Sequence, residues 1–186
     1  MTTTQPSYAD DRAAIENLMA RYLFALDWND FDTFGQTFTD DAEFEYARGT
    51  AYGRDNIVET IKGFKQRIGT IYTDEDGNPA VLRHVLAQTV IRVEGDLAWT
   101  TALWWEVANT APGKKPLVGT FGIYEDELVR VNGQWLFSKR RVLNEFLPGR
   151  ESSVENPVLA MDVLASREEA ISLKDIARSE ERRVGK

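Results

Sequence analysis

The second half of the chain contains four long strand-like segments joined by short connections, and this pattern constrains the fold more than any other feature. The four segments are residues 81–93, 97–107, 117–131 and 134–146. Gly95 lies in the turn of the first pair, and Asn132-Gly133, the strongest short hairpin signal in the chain, joins the second pair. A loop over residues 111–116 connects the two pairs. Because strands joined by such short turns run in opposite directions, the sequence predicts an antiparallel meander.

Helical spacing dominates the first half of the chain. Ser7 and Asp10 fit a capping box, and apolar residues then recur at intervals of three and four. The apolar positions of this first helix are Ile15, Leu18, Met19, Tyr22 and Leu26. Helices followed by a strand meander predict an α+β domain in which the helices pack on one face of a curved sheet.

Two further helices and one strand are predicted before the meander. Asp30 can cap a short helix that continues to the pair Asp40 and Asp41, which would stop it. Residues 42–46 alternate between apolar and polar side chains and predict a strand. Gly53 precedes a third helix, which has apolar side chains along one face.

The chain is most simply divided into one domain and a tail. We expect residues 1–150 to form the α+β domain and residues 151–177 to form a helical extension that covers an opening or contacts a neighbouring subunit. Residues 178–186, RSEERRVGK, resemble the in-frame translation of a sequencing-library adapter. We therefore exclude this last segment from the functional reasoning.

Composition excludes several classes of function. The formal net charge of -8 argues against a nucleic-acid partner, because phosphate binding needs clustered basic side chains. The chain has no cysteine, which excludes a disulfide scaffold, a thiolate nucleophile and a cysteine-based zinc site. The sequence shows neither a secretory signal nor an apolar stretch of membrane-spanning length, so we expect a cytoplasmic protein without a membrane partner.

His84 is the only histidine in the chain and lies at the start of the predicted meander. Asp27 lies near the end of the first predicted helix, where the helix dipole disfavours a carboxylate that has no partner. If the fold brings the two side chains together, Asp27 can orient the imidazole of His84 and strengthen it as a base. The pair would then supply acid–base catalysis without a metal or a cofactor. A histidine at this position can also have a purely structural role.

Several short segments match a known pattern in their order and spacing. They are residues 15–22, 25–32, 38–42, 53–57, 83–84, 94–98 and 132–135, followed by Arg140. Together they resemble the SnoaL-like family of the nuclear-transport-factor-2-like (NTF2-like) superfamily. The resemblance implies a cone-shaped α+β barrel, in which a strongly curved, mixed but mostly antiparallel sheet wraps around N-terminal helices and a deep apolar pocket. It is less specific for function, because this fold carries many unrelated activities.

The resemblance also implies roles for individual residues. In family members such as hexachlorocyclohexane dehydrochlorinase and scytalone dehydratase, an aspartate near the end of the first helix pairs with a histidine from the sheet. Asp27 and His84 occupy the matching positions and are therefore the predicted catalytic residues. An arginine of the last strand often joins the pocket in this family, and Arg140 matches it best. Family members are often dimers or trimers, so a homo-oligomer is expected.

The substrate-binding candidates are aromatic or cationic side chains of the elements around this pocket. They are Tyr22, Trp28, Tyr46, Trp105, Phe121 and Arg140. Trp104 and Trp105 are adjacent in a strand and point to opposite faces of the sheet, so we expect only one of the two to line the pocket. The same alternation separates Arg140 from Arg141. A plain core position is an equally good interpretation of each aromatic side chain.

The leading hypothesis is a lyase or isomerase that needs no cofactor or metal and acts on a small apolar molecule, by preference an aromatic one. His84 would remove a proton while Asp27 holds the ring, and a tyrosine hydroxyl or Arg140 would stabilise the departing group. Dehydration, dehydrohalogenation, ring isomerisation and carbon–carbon cleavage all fit this chemistry. The alternatives are a non-catalytic module that binds a small ligand, the small subunit of a ring-hydroxylating oxygenase and, more weakly, an epoxide hydrolase.

Overall fold

The computed structural model describes residues 6–150 and Val158. The helices and strands are α1 (Tyr8–Trp28), α2 (Phe31–Gly35), β1 (Phe38–Tyr46), β2 (Gly49–Tyr52), α3 (Arg54–Ile71), β3 (Leu82–Glu94), β4 (Leu97–Ala111), β5 (Lys115–Val131) and β6 (Gln134–Asn144). All of them lie in the unit Met1–Ser152. The predicted extension and tail fall outside the described residues, apart from Val158. None of the described helices is long and apolar enough to cross a membrane.

Helix α1 begins where the capping box predicts. The Ser7 hydroxyl accepts a hydrogen bond from the Asp10 N–H (3.3 Å), and the Asp10 carboxylate accepts one from the Ser7 N–H (3.0 Å). Asn29 follows the helix in the left-handed conformation, with φ of 57°. The five positions of the predicted apolar stripe are all buried: Ile15, Leu18, Met19, Tyr22 and Leu26. Asp27 therefore lies in the last turn of the helix, two residues before this cap.

The six strands form one curved, unclosed sheet in the order β2-β1-β6-β5-β4-β3. Strands β3 to β6 are consecutive antiparallel neighbours, which confirms the predicted meander. Strand β1 pairs in parallel with β6 and in antiparallel with β2. This mixed, mostly antiparallel sheet and the helices of the first half of the chain confirm the predicted α+β class.

Irregular pairing accounts for the curvature of the long strands. In β3, the extra residue Gln88 lies between Ala87 and Thr89 without a partner in β4 and has a left-handed φ of 44°. The β4–β5 and β5–β6 pairs are also interrupted by register shifts. A bulge bends its strand and increases the local twist, so these positions curve the sheet around the helices.

Two stretches differ from the sequence-based prediction. Asp40 and Asp41 do not stop a helix, because α2 ends at Gly35 and both aspartates lie inside β1. Residues 111–116 do not form a separate loop, because β4 and β5 extend into it from both sides and form one long hairpin. Asp40 and Asp41 lie between the paired positions Phe38 and Glu43, and Ala111 pairs with Lys115, so in both cases the pairing of flanking residues continues the strand past the local preference for a turn.

Candidate active site

Asp27 and His84 meet where the end of α1 approaches the start of β3. Nδ1 of His84 lies 2.6 Å from Oδ1 of Asp27, and the backbone N–H of His84 donates a hydrogen bond to Oδ2 (2.8 Å). The Asp27 side chain is 4% exposed and the His84 side chain is 13% exposed. One carboxylate oxygen of Asp27 contacts the ring of His84 and the other accepts from its backbone N–H, so the orientation of the imidazole is fixed. Nε2 is therefore the ring nitrogen that can act on another molecule.

His84 lies in the wall of a cavity of about 240 Å³. Residues of α1, α3 and strands β1 and β3 to β6 line this cavity, and most of their side chains are aliphatic or aromatic. The lining residues with other polar side chains are Arg48, Lys65, His84, Glu106, Thr120 and Asn144. A largely apolar cavity with a few convergent polar groups is typical of a site for a small organic molecule.

Glu106 faces His84 from the neighbouring strand. The two residues are directly opposite in the β3–β4 register, so their side chains leave the same face of the sheet. Oε2 of Glu106 lies 3.8 Å from Nε2 of His84, and Oε1 accepts a hydrogen bond from the Thr120 N–H (3.3 Å). The imidazole thus lies between two carboxylates, with Asp27 on its Nδ1 side and Glu106 on its Nε2 side.

Lys65 of α3 and Tyr72, the residue that follows this helix, add two more ionisable groups to the cavity. Burial lowers the pKa of the Lys65 ammonium, and the negative charges of Asp27 and Glu106 oppose this shift. Burial, reinforced by the charge of Glu106 and a hydrogen bond with it, raises the pKa of Tyr72. Glu106 therefore interacts with both groups as well as with His84.

Arg140 does not line the cavity, which corrects the prediction made from the resemblance. Its buried guanidinium donates from Nε and Nη2 to the two oxygens of Asp126, both at 2.7 Å. The rings of Tyr22, Tyr124 and Phe137 lie 4.1, 4.4 and 4.0 Å from its central carbon. Tyr22 and Tyr124 do line the cavity. Arg140 therefore supports part of the aromatic wall from behind, and Asp126 compensates its charge.

This buried pair affects the neighbouring titratable groups. Burial opposes the charged form of Arg140, but the attraction of Asp126 outweighs it and raises the arginine pKa above its usual value. Burial raises the pKa of Tyr22 to about 12, against the opposing influence of the Arg140 charge. The Tyr22 hydroxyl therefore stays protonated throughout the physiological range.

Three predicted aromatic wall residues also lie elsewhere, whereas Tyr22 and Tyr46 are in the lining. Trp28 is 58% exposed, and the guanidinium carbon of Arg83 stacks 3.7 Å from its ring centre. Trp105 and Phe121 are opposite each other in the β4–β5 register, and Phe121 is 47% exposed. Both belong to the face of the sheet that points away from the cavity.

As the alternation of side chains along a strand predicts, only one of Trp104 and Trp105 lines the cavity. Trp104 is the member that lines the cavity, and its ring stacks on Tyr124 at 5.5 Å. An added Cβ at Gly122, next to this ring, would lie 3.2 Å from Trp104 and 1.9 Å from the Leu143 carbonyl oxygen. The strands approach closely here because position 122 has no side chain.

Sequence reasoning missed Glu106 and Lys65. Lys65 carried a usable signal, because it follows Ile57 and Ile61 at intervals of four on the apolar face of α3. The signal for Glu106 was weaker. It lies two residues after Trp104 in the predicted strand, so the two side chains are expected on the same face. The bulge at Gln88 obscured its relation to His84, since a regular hairpin would place another residue opposite the imidazole.

The fold of this chain is similar to that of solved NTF2-like structures. A solved NTF2-like protein with a cystatin-like fold from Novosphingobium aromaticivorans superposes with a TM-score of 0.63, at 23% identity, over 78% of this chain and 86% of that one. A solved structure from Catenulispora acidiphila has a TM-score of 0.63 and 26% identity, over 74% of this chain and 94% of that one.

The family is defined by the sequence match. Residues 7–141 match the model of the SnoaL-like domain, so the chain belongs to the SnoaL-like family. A curated relative, an uncharacterized protein of Mycobacterium tuberculosis, is 28% identical over 131 residues, which cover 70% of this chain and 82% of the relative. The family includes polyketide cyclases and dehydratases as well as many members of unknown function.

Proposed function

We propose that this protein is a cofactor-independent lyase or isomerase that uses Asp27 and His84 as an acid–base pair on a small apolar, aromatic substrate. The observation that carries the proposal is the position of His84. Asp27 holds its Nδ1 at 2.6 Å, while the ring lies in the wall of a largely apolar cavity. A base for carbon acids needs an oriented, partly desolvated nitrogen of this kind.

Each side chain has a role in this proposal. Nε2 of His84 removes a proton from a substrate carbon, and the Asp27 carboxylate stabilises the imidazolium that forms. The hydroxyl of Tyr22 or Tyr72, or the ammonium of Lys65, stabilises the developing oxyanion or departing group in place of Arg140. A positioned base contributes roughly 10²–10⁴-fold, so orientation of the substrate by the cavity has to supply the remaining rate enhancement.

A non-catalytic module that binds a small ligand is the second candidate. The observation that favours it is the bond from the His84 backbone N–H to Oδ2 of Asp27, because this bond joins α1 to β3 and has a structural use of its own. In that case the cavity would bind an apolar ligand without converting it. The oxygenase-subunit alternative has no comparable observation in its favour.

The test is a screen of aryl alcohols and organic halides for substrate loss without added cofactor. Activity should fall by about 100-fold or more in His84→Gln and in Asp27→Asn. Asp32→Asn, the same substitution at an exposed aspartate five residues away, is the matched control and should keep full activity. Wild-type turnover in His84→Gln would contradict the proposal. Saturable binding of a panel compound without any turnover would support the binding module instead.

A further inference from the structure

Glu106 is an ionisable group of the cavity wall that lies beside the reactive nitrogen of His84. The two atoms are 3.8 Å apart, and both side chains are largely buried. Within the described part of the chain, Glu106 has no lysine or arginine within 4 Å of its carboxylate. An ordinary structural ion pair therefore does not explain why a carboxylate occupies this position.

The backbone of β5 is shaped around this carboxylate. Oε1 accepts a hydrogen bond from the Thr120 N–H, which leaves Oε2 on the side of the imidazole. An added Cβ at Gly119 would lie only 2.9 Å from Oε1 and 3.2 Å from Cγ of Glu106. Glycine at this position thus makes room for the carboxylate to face His84. Because Gly119 does not have a left-handed φ, alanine there would press on the side chain of Glu106 without straining the backbone.

Nε2 of His84 and Oε2 of Glu106 face each other at 3.8 Å, so a proton on either atom would lie between the two. Asp27 accepts from the Nδ1 side of the ring, so the lone pair of a neutral imidazole would face the charged Glu106. A single proton on either atom removes this repulsion. Further charged groups around the pair include Lys65 from α3, Arg83 on the same strand and Arg48 in the cavity lining, and Tyr72 interacts with Glu106.

We propose that Glu106 is a second catalytic residue, which shares one proton with His84 and makes the site a dehydratase. One member of the pair takes a proton from a substrate carbon, and the other gives its proton to the hydroxyl group on the adjacent carbon. The C–H and C–O bonds break, the C–H electron pair forms the C=C bond, and the C–O electron pair leaves with oxygen as water. His84 and Glu106 together therefore carry the same number of protons before and after the reaction.

This inference rests on the proposed function and narrows it to alcohols. Hydroxide leaves carbon poorly unless it is protonated, whereas a halide leaves as the anion and needs no proton. Two proton-transfer atoms 3.8 Å apart on one wall can reach a hydrogen and a hydroxyl group on neighbouring carbons from the same side. The substrate class is therefore a small aryl-bearing alcohol with a removable proton next to the carbinol carbon.

The first test needs no substrate. Because His84 is the only histidine, the full chain without a histidine tag, labelled with ¹⁵N, gives a single set of imidazole signals. At one fixed pH, Glu106→Gln should lower the ratio of doubly to singly protonated imidazole by about tenfold or more, since the imidazolium loses a nearby counter-charge. Glu94→Gln, the same change ten residues along β3 and about 30 Å away, should leave the ratio unchanged. An unchanged ratio in Glu106→Gln would overturn the proposal.

Gly119→Ala provides an independent variant in case Glu106→Gln does not fold. It keeps the carboxylate but presses on its Oε1 and Cγ and so changes its position relative to the imidazole, and the ratio should differ from that of the wild type. A ratio equal to that of the wild type, with the fold intact by circular dichroism, would overturn the proposal as well.

The second test compares leaving groups. Among panel compounds that the wild type converts, Glu106→Gln should reduce turnover of alcohols by about 100-fold and turnover of halides by less than tenfold. Equal losses for both classes, or full alcohol turnover in Glu106→Gln together with a loss in His84→Gln, would overturn the role of Glu106 and leave the proposed function intact. Full turnover in His84→Gln would overturn the proposed function itself.

Discussion

Replacing Asp126 by leucine tests how a buried ion pair supports the wall of the cavity. The side chains of Arg140 and Asp126 are 1% and 0% exposed, and the Thr100 hydroxyl donates to the same carboxylate at 2.8 Å. Asp126→Leu is nearly isosteric, so it removes the charge and three hydrogen bonds without opening a large cavity. The positive charge of Arg140 would then be buried without a counter-charge beneath the aromatic rings.

The expected loss follows from the burial of both partners. Removal of one partner of a buried ion pair costs about 3–5 kcal/mol, because the remaining charge has neither its partner nor water around it. A domain of this size has a free energy of unfolding of about 5–15 kcal/mol, so Asp126→Leu would remove a large share. The double variant Asp126→Leu/Arg140→Met removes both charges, and we expect it to recover most of the loss.

Urea unfolding at pH 7, followed by tryptophan fluorescence, measures these differences. Glu59→Gln breaks an exposed ion pair with Lys62 and serves as the control, with an expected loss below about 0.5 kcal/mol. A loss below about 1 kcal/mol in Asp126→Leu would refute the reasoning. A double variant less stable than Asp126→Leu would refute it equally.

Two further substitutions test the packing around the cavity. The pKa of Tyr22, raised to about 12 by burial, means that the unfolded chain loses this proton near pH 10 while the folded protein keeps it. The free energy of unfolding of the wild type should therefore fall by up to about 3 kcal/mol between pH 10 and pH 12, and Tyr22→Phe should lack this part of the fall in urea titrations. Gly122→Ala should cost about 1–3 kcal/mol, because its Cβ would lie 1.9 Å from the Leu143 carbonyl oxygen. Gly63→Ala, at a helical position with open space, should not destabilise the protein. Parallel pH profiles for Tyr22→Phe and wild type, or an unaltered Gly122→Ala, would contradict these expectations.

Local patterns were sufficient for much of the fold. Ser7 and Asp10 form the predicted capping box, and the apolar stripe of α1 is buried, because both depend on contacts within a few residues. The hairpins at Gly95 and Asn132-Gly133 also follow from short-range turn chemistry. By contrast, the parallel pairing of β1 with β6 joins segments almost a hundred residues apart, and no local pattern indicates it.

The candidate active site, like the fold, was predictable from the sequence only in part. The helix end and the strand start that carry Asp27 and His84 were identifiable, and the structure brings these side chains within hydrogen-bonding distance. The role of Glu106 was not identifiable, because Glu94 pairs with Leu97 and a regular hairpin would continue to place Val107 opposite His84. The single bulge at Gln88 shifts this register by one residue. The residues of β3 that precede the bulge therefore point to the opposite face of the sheet from the one that a regular hairpin would give them.

Face assignment explains the errors at Trp105 and Phe121. Both residues are on strands, where neighbouring positions alternate between faces and each bulge changes the alternation. Arg140 points to the helix side but pairs with Asp126, its direct neighbour across the β5–β6 register. The presence of Asp126 inside a predicted strand was the sequence feature that could have indicated its pairing with Arg140.

The position of the ring proton on His84 tests the central claim most directly. If Asp27 holds the imidazole so that Nε2 serves as the base, the neutral ring carries its proton on Nδ1. Long-range ¹H–¹⁵N correlation spectra of the only histidine in the chain measure this. We expect an Nδ1–H signal that is protected from exchange with water in the wild type and lost in Asp27→Asn. A neutral ring that carries its proton on Nε2 instead of Nδ1, or an Nδ1–H signal that Asp27→Asn leaves unchanged, would contradict the account.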